Sequence, residues 1–250
     1  MCSNFKKVVI GFGVAAFWLA VWSLGCFVAN RSLLMPLPYP WDVAVSLWGL
    51  LDRGSFWADA MLSLLRIMVG FLSAAVVGVA LAVLTTRFRV VNALISPVLS
   101  AIRAVPVASF IFLAFLWIPA GRMPTFIAFL MVVPLVWENV RQGIVSTDRR
   151  LLEMARVFRL SYGRRLRRIW LPSVGPYLQA ALSTGFGFAW KSGIAAEIIC
   201  TTGRSIGAQI AAAKSTLDYA EVFASTVVVA VFSMALEYVV RRVLRREVAG

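Results

Sequence analysis

The residue types that carry out covalent or metal chemistry are sparse in this sequence. The chain has no histidine, the side chain most often used as a general base or metal ligand near neutral pH. Its cysteines, Cys2, Cys26 and Cys200, are far apart and lack the spacing of a metal or redox site. The sequence also contains no G-x-x-x-x-G-K-[ST] phosphate loop. We therefore expect no catalytic site, no metal site and no cofactor of its own, and any ATP and Mg²⁺ must be bound by another chain.

Charged residues inside long apolar runs are the remaining candidates for chemistry. Arg103, Lys191 and Glu197 lie in such runs, and an ionisable group in hydrocarbon usually faces a cavity or a partner. Arg103 and Lys191 are at related depths, so these two cations could attract a small anion along a translocation path. The alternative is structural pairing with a carboxylate, for which Glu197, Glu138 and Glu237 are available.

The apolar runs predict helices that cross a membrane. Apolar residues make up 61% of the chain, and they gather into runs of about 20 residues, the length that crosses roughly 30 Å of hydrocarbon. Six spans are predicted, at residues 8–28, 58–84, 90–118, 124–140, 174–200 and 222–240. Pro97 and Pro106 interrupt the third span and predict a kink there. The sequence thus predicts an all-α, polytopic membrane protein.

Positive charge is unevenly distributed between the two sides of these spans. With the N-terminus inside, the cytoplasmic segments are 1–7, 85–89, 141–172 and 241–250; they hold 17 of the 25 Lys and Arg residues, and the opposite side holds five. This asymmetry predicts a multi-pass protein of a bacterial inner membrane with both termini in the cytoplasm. The net charge of +14 would suggest nucleic acid binding in a soluble chain, but here the basic residues lie between spans, so no nucleic acid partner is expected.

The longest predicted cytoplasmic segment contains a short amphipathic helix. Residues 151–160 (LLEMARVFRL) place apolar side chains on one face, and ten residues are too few to cross a membrane. Asp148 or Thr147 is suited to cap its start. A break at 161–163 and a second short helix that ends before Pro172 complete a helix–turn–helix elbow on the cytoplasmic face.

The elbow resembles a loop of the permease subunits of bacterial binding-protein-dependent ABC importers. Those permeases carry Glu-Ala-Ala, three residues, Gly, nine residues and then Ile-x-Leu-Pro. In this chain Met154 replaces the first Ala and Arg159 replaces the Gly, and Gly163 is expected to supply the break four residues later. The residues that the resemblance assigns to ATPase coupling are Glu153, Met154, Ala155, Arg159, Gly163, Ile169, Leu171 and Pro172.

Three other segments look like the nitrate, sulfonate and taurine branch of the same family. They are residues 63–71 (SLLRIMVGF), 103–117 and 189–197 (AWKSGIAAE), in the second, third and fifth spans. Together with the elbow they occur in the right order. The resemblance therefore implies the fold of a type I ABC importer permease over most of the chain.

This family implies partners and a mechanism. Two permeases form the pore, as a homodimer or a heterodimer. Two cytoplasmic ATP-binding subunits dock on the elbows, with Glu153 and Ala155 at the ATPase groove, and an extracytoplasmic solute-binding protein delivers the solute. Leu171 and Pro172 link the elbow to the fifth span. The substrate implied is a small anion or organic solute, such as a sulfonate, taurine, nitrate, bicarbonate or a vitamin precursor.

The predicted domain organisation is simple. Residues 1–57 comprise an N-terminal span and an external amphipathic segment, and residues 58–250 form the importer's transmembrane domain. Tryptophans at 41 and 48 recur at helical spacing in the external segment, so it is expected either to anchor at the lipid surface or to dock an external partner.

Two other classes of membrane protein fit the sequence less well. A secondary transporter driven by an ion gradient is the main alternative, but it needs no coupling elbow and more often shows repeated halves. A membrane-embedded enzyme would need a nucleophile–base pair or a metal site, and no such group can be assembled from this sequence.

Overall fold

The computed structural model describes residues 2–31 and 37–248, which form helices and no strand. The α-helices in this part of the chain are α1 (Cys2–Ala29), α2 (Pro40–Asp52), α3 (Gly54–Arg87), α4 (Arg89–Ala104), α5 (Val107–Ala114), α6 (Met123–Val145), α7 (Arg149–Val157), α8 (Tyr162–Arg165), α9 (Leu171–Cys200), α10 (Ile206–Ser215) and α11 (Tyr219–Val248). A π-helical segment, Leu166–Trp170, joins α8 to α9. The all-α class is confirmed. Residues 1, 249 and 250, at the ends of two predicted cytoplasmic segments, lie outside the described residues.

Each of the six predicted spans coincides with a helix or a helix pair. Three described stretches are long and apolar enough to cross a membrane: Gly54–Arg87, Ala120–Val145 and Tyr219–Val240. The pair α4 and α5, bent by 106° at Val105 and Pro106, is a fourth if it forms one broken span and not a re-entrant loop. The bend occurs there because a residue before proline avoids the helical conformation. α9 is too polar to be counted by length and apolarity, and the apolar described part of α1, Ala16–Ala29, is too short. Length and apolarity alone therefore identify fewer than six spans among the described residues.

The chain divides into two compact units. One takes in the described residues up to Trp57 together with Gln209–Val229; the other takes in Ala58–Ala208 and the described residues from Ala230 onward. The division into 1–57 and 58–250 stays a prediction.

The segment that we predict to be external forms the predicted amphipathic helix. α2 buries Val43 and Leu50 and exposes Trp41, Val45 and Trp48. The exposed face carries the tryptophans, whose rings favour the headgroup depth of a membrane. Anchoring at the lipid surface stays a prediction.

In the second unit, α6 packs closely against α3 and along α9. A Cβ atom at Gly70 of α3 would meet the backbone carbonyl of Thr125, and a Cβ at Gly78 would lie 2.8 Å from the Cβ of Val136. Small residues at these positions let the helix backbones approach, which is how membrane helices commonly associate. This packing fixes the helices that carry the candidate site.

Candidate functional site

The first elbow helix is shorter than predicted, and its capping residue is identified. α7 covers Arg149–Val157 rather than 151–160. The Asp148 side chain accepts a hydrogen bond from the backbone N–H of Arg150 at 2.8 Å, which satisfies one of the free donors at the helix start. The cap is thus Asp148 and not Thr147.

Two of the predicted coupling residues on α7 are exposed and one is not. Glu153 and Met154 face outward, whereas Ala155 is fully buried within the chain. The methyl group of Ala155 faces the rest of its own chain, and its predicted place at an ATPase groove stays a prediction. Its small size lets α7 lie close to that surface.

The turn after α7 is made at Arg159. This residue has a φ of +47°, in the left-handed region that glycine usually occupies. The Arg159 N–H donates to the carbonyl of Arg156 at 3.0 Å, and the Leu160 N–H donates to that of Ala155 at 2.9 Å. This pair of bonds is a Schellman motif, the common way to end a helix. Arg159 thus takes the conformation of the glycine it replaces, and the predicted break at Gly163 is wrong because Gly163 is helical, within α8.

The second half of the elbow runs into α9 without a loop. We expected a helix at 164–170 that ends before Pro172, but Trp170 and Leu171 both have right-handed helical backbone angles. The Leu171 N–H donates to the carbonyl of Leu166, a π-type bond that spans five residues. A wider π turn accommodates Pro172, which lacks an N–H and would otherwise crowd the preceding turn of a regular α-helix. Ile169 is buried, while Leu171 and Pro172 are exposed.

Large apolar side chains are exposed around the turn. We define the coupling surface as the four exposed residues Met154, Val157, Phe158 and Tyr162. Val157 and Tyr162 are 79% and 78% exposed, although arginines surround them in the sequence. Exposed apolar side chains that lie this close together in the sequence are typical of a surface that contacts another protein or a membrane.

Arg103, a candidate for the translocation path, has a partner in the structure. It lies in the last turn of α4, and its Nη2 is 3.6 Å from the Oε2 of Glu138 on α6. Arg141 approaches the other carboxylate oxygen of Glu138 at 4.0 Å. For Arg103 the structure therefore gives the structural pairing that the sequence left open.

Lys191 is exposed on a helix that is otherwise largely buried. α9 exposes a line of residues on one face, which we call the α9 stripe: Ala180, Thr184, Phe188 and Lys191. Lys191 is twenty residues beyond the start of α9 at Leu171, or about 30 Å at 1.5 Å per residue. At that distance Lys191 is near the far side of a hydrocarbon layer about 30 Å thick, where a lysine reaches water at the interface or faces a partner or an aqueous path.

Glu197 is fully buried and held by hydrogen bonds. Its Oε2 accepts from Ser63 Oγ at 2.8 Å and from the Gly207 N–H at 3.2 Å. The Nη1 of Arg66 lies 3.9 Å from its Oε1. The structure thus places Glu197 within the helix packing and not on an open surface. The contacts of Ser63 and Arg66 with Glu197 were not predicted from the sequence. The sequence does show these two polar residues one helical turn apart in an apolar helix, which could have indicated a shared partner.

Comparisons with known proteins agree on one family. Residues 74–247 match the family described as the inner membrane component of binding-protein-dependent transport systems. The chain is 26% identical to the taurine transport system permease protein of Escherichia coli, with 96% of this chain and 89% of that protein covered. It is 26% identical to the nitrate import permease protein of Leptolyngbya laminosa, with 92% and 84% covered. It is 30% identical to the bicarbonate transport system permease protein of Synechococcus elongatus, with 60% and 54% covered.

A solved structure shares the fold. The crystal structure of an amino acid ABC transporter with histidines superposes with a TM-score of 0.63 at 18% identity, over 78% of this chain and 93% of that one. The family and fold expected from the elbow are thus confirmed, and the family match extends over most of the chain. The chain belongs to the inner membrane components of binding-protein-dependent transport systems, as the permease subunit of an ABC importer with the type I fold.

Proposed function

We propose that two copies of this chain enclose a path for a small anionic solute, and that the elbow transmits ATPase movements to this path. The observation that carries the proposal is the continuous helix from the elbow into α9. A helix without a loop moves as one body, so a displacement at the elbow reaches the membrane part of the chain. ATP and Mg²⁺ are bound by the partner ATPase, and this chain performs no covalent chemistry.

The ATPase docks on the coupling surface. The apolar side chains of Met154, Val157 and Phe158 enter its groove, and Glu153 on the same short helix contacts its polar edge. Ala155 and Ile169, which are buried, hold the elbow to its own chain.

The second copy covers the α9 stripe. Lys191 is a charge on this face, and a homodimer with an aqueous path along the stripe keeps that charge in water. Lys191 is the cation in this path that meets the solute. Arg103 has a lesser role because Glu138 already offsets its charge.

The solute is a small anion such as a sulfonate, nitrate or bicarbonate, delivered by an extracytoplasmic binding protein. Support comes from the relatives, which are named for taurine, nitrate and bicarbonate transport. The excess of positive residues in the elbow and both terminal segments supports a cytoplasmic location for both termini.

The charge-reversing variant Glu153→Lys tests the docking role. We expect it to reach the membrane normally but to lose copurification with its ATPase by about tenfold or more, because the reversed charge opposes the partner's groove. The matched control is Asp52→Lys, the same change of charge at an exposed residue of α2, which should leave copurification unchanged. An ATPase that copurifies equally well with Glu153→Lys and the wild type contradicts the proposal.

A further inference from the structure

The start of α10 is held by side chains from three separate segments. The first N–H groups of a helix have no partner within the helix and need acceptors from elsewhere. Here each of the first three finds a side-chain oxygen: Ile206 N–H donates to Ser63 Oγ at 3.1 Å, Gly207 N–H to Glu197 Oε2 at 3.2 Å and Ala208 N–H to Ser205 Oγ at 3.0 Å. Only Ser205 is the local cap; the other two acceptors lie on α3 and α9.

Glu197 is the centre of this arrangement. The Ser63 hydroxyl donates to Glu197 and accepts from the Ile206 N–H, so it links the carboxylate to the first residue of α10. A carboxylate at a helix N-terminus is also favoured by the positive end of the helix dipole. Arg66, 3.9 Å from the other oxygen, offsets part of the buried negative charge.

Close packing at Gly207 provides an independent sign that α10 is fixed to α9. A Cβ at this position would overlap the Cβ of Glu197 and would lie 2.8 Å from the backbone nitrogen of Ile198. Any larger residue would therefore push the start of α10 away from α9. The preceding loop is fastened too, since Arg66 donates to the carbonyl of Arg204 at 3.0 Å and Arg204 Nε donates to Asp59 at 3.1 Å.

We propose that Glu197 is a positioning residue that fastens the start of α10 to the far end of α9, so that the two move together during transport. α9 has 30 residues, or about 45 Å of helix between the elbow and this end. A movement that reaches the end of α9 is thereby passed to α10 directly through Glu197, in addition to the 201–205 loop that joins the two helices. This inference rests on the proposed function for its purpose, but the fastening itself is a property of the isolated chain.

The test uses Glu197→Gln and Ser63→Ala in the importer reconstituted with its ATPase and binding protein. Glu197→Gln keeps the size of the side chain but removes the charge, and Ser63→Ala removes the linking hydroxyl. The matched control is Ser225→Ala, a serine that is equally buried but whose hydroxyl has no hydrogen-bond partner among the described residues. Hydrogen exchange of the 201–215 peptide reports the fastening, and solute imported per ATP hydrolysed reports the coupling.

We expect exchange in the 201–215 peptide to rise by about fivefold or more in both variants, because Ser63→Ala loses a hydrogen bond and Glu197→Gln replaces bonds to a charged acceptor with weaker bonds to a neutral one. Solute imported per ATP should fall in both variants, while ATPase association stays normal. Ser225→Ala should change neither quantity. A general folding defect would speed exchange elsewhere too, so the 123–145 peptide of α6 must stay unchanged.

Unchanged exchange in both variants overturns the fastening. Faster exchange with undiminished import per ATP overturns the role in coupling. If Glu197→Gln does not fold, Ser63→Ala against Ser225→Ala decides the question alone. A wild-type permease that binds no ATPase would instead refute the proposed function, and the exchange measurement would still judge the fastening of α10.

Discussion

The left-handed turn at Arg159 predicts that a glycine substitution there stabilises the elbow. Arg159 has a φ of +47° and closes the Schellman motif after α7. For an L-residue this conformation costs about 1–2 kcal/mol relative to a right-handed one. Glycine has no such penalty, although its greater freedom in the unfolded chain costs about 0.4–1 kcal/mol. Arg159→Gly should therefore stabilise the elbow by about 0.5–1 kcal/mol.

A matched variant three residues away should have the opposite effect. Arg156 is also an exposed arginine, but it lies in the last turn of α7 with helical geometry. Glycine there costs about 1 kcal/mol because it disfavours the helix. Both variants remove one positive charge from the same loop, so a difference between them reports backbone conformation and not electrostatics.

Hydrogen exchange of the 149–161 peptide is the appropriate assay, with rates corrected for the sequence change. The amides of Arg159 and Leu160 donate in the motif and report its opening. Their exchange should slow by about two- to fivefold in Arg159→Gly and quicken by about fivefold in Arg156→Gly. If Arg159→Gly accelerates exchange, or if the two variants change it in the same direction, the left-handed turn at Arg159 is not the source of strain.

Two further predictions concern packing and the path. Gly70→Ala should destabilise the permease by about 1–3 kcal/mol, because its Cβ meets the backbone carbonyl of Thr125. Gly49→Ala, whose Cβ meets no described atom within 4 Å, should stabilise α2 by up to about 1 kcal/mol; thermal unfolding in detergent compares the two, and equal shifts would contradict the close approach of α3 and α6. Lys191→Gln should lower anion uptake more than Arg103→Gln at equal membrane levels, since Arg103 is already paired; equal uptake by Lys191→Gln and wild type removes Lys191 from the path.

The elbow, α9 and the start of α10 form a continuous chain of physical connections. The coupling surface lies at one end, on α7, the turn that follows it and the first residue of α8. Glu197 lies three residues before the other end, at Cys200. From Tyr162 to Cys200 no loop interrupts the helix, which supports the proposal that a movement at the elbow reaches the far end of α9.

The sequence by itself determined the features that depend on neighbouring residues. Run length determined where the helices lie, since a segment needs about 20 apolar residues to cross the bilayer. The spacing from Glu153 to Pro172 and a cap at Asp148 or Thr147 were readable because caps and amphipathic faces depend on residues a few positions apart. The fold class followed from these local patterns, and the family from the resemblance of the elbow to a known permease loop.

Only the tertiary structure decided which charges meet. Ser63 and Glu197 are 134 positions apart in the sequence. No feature of the residues near Glu197 distinguishes a translocation-path residue from a buried residue that holds two helices together. Arg103 had several carboxylates available, and helix packing selected Glu138. The position of the elbow turn, at Arg159 rather than Gly163, was also decided by folding. A strained backbone conformation persists only when surrounding contacts require it, and those contacts exist only in the folded chain.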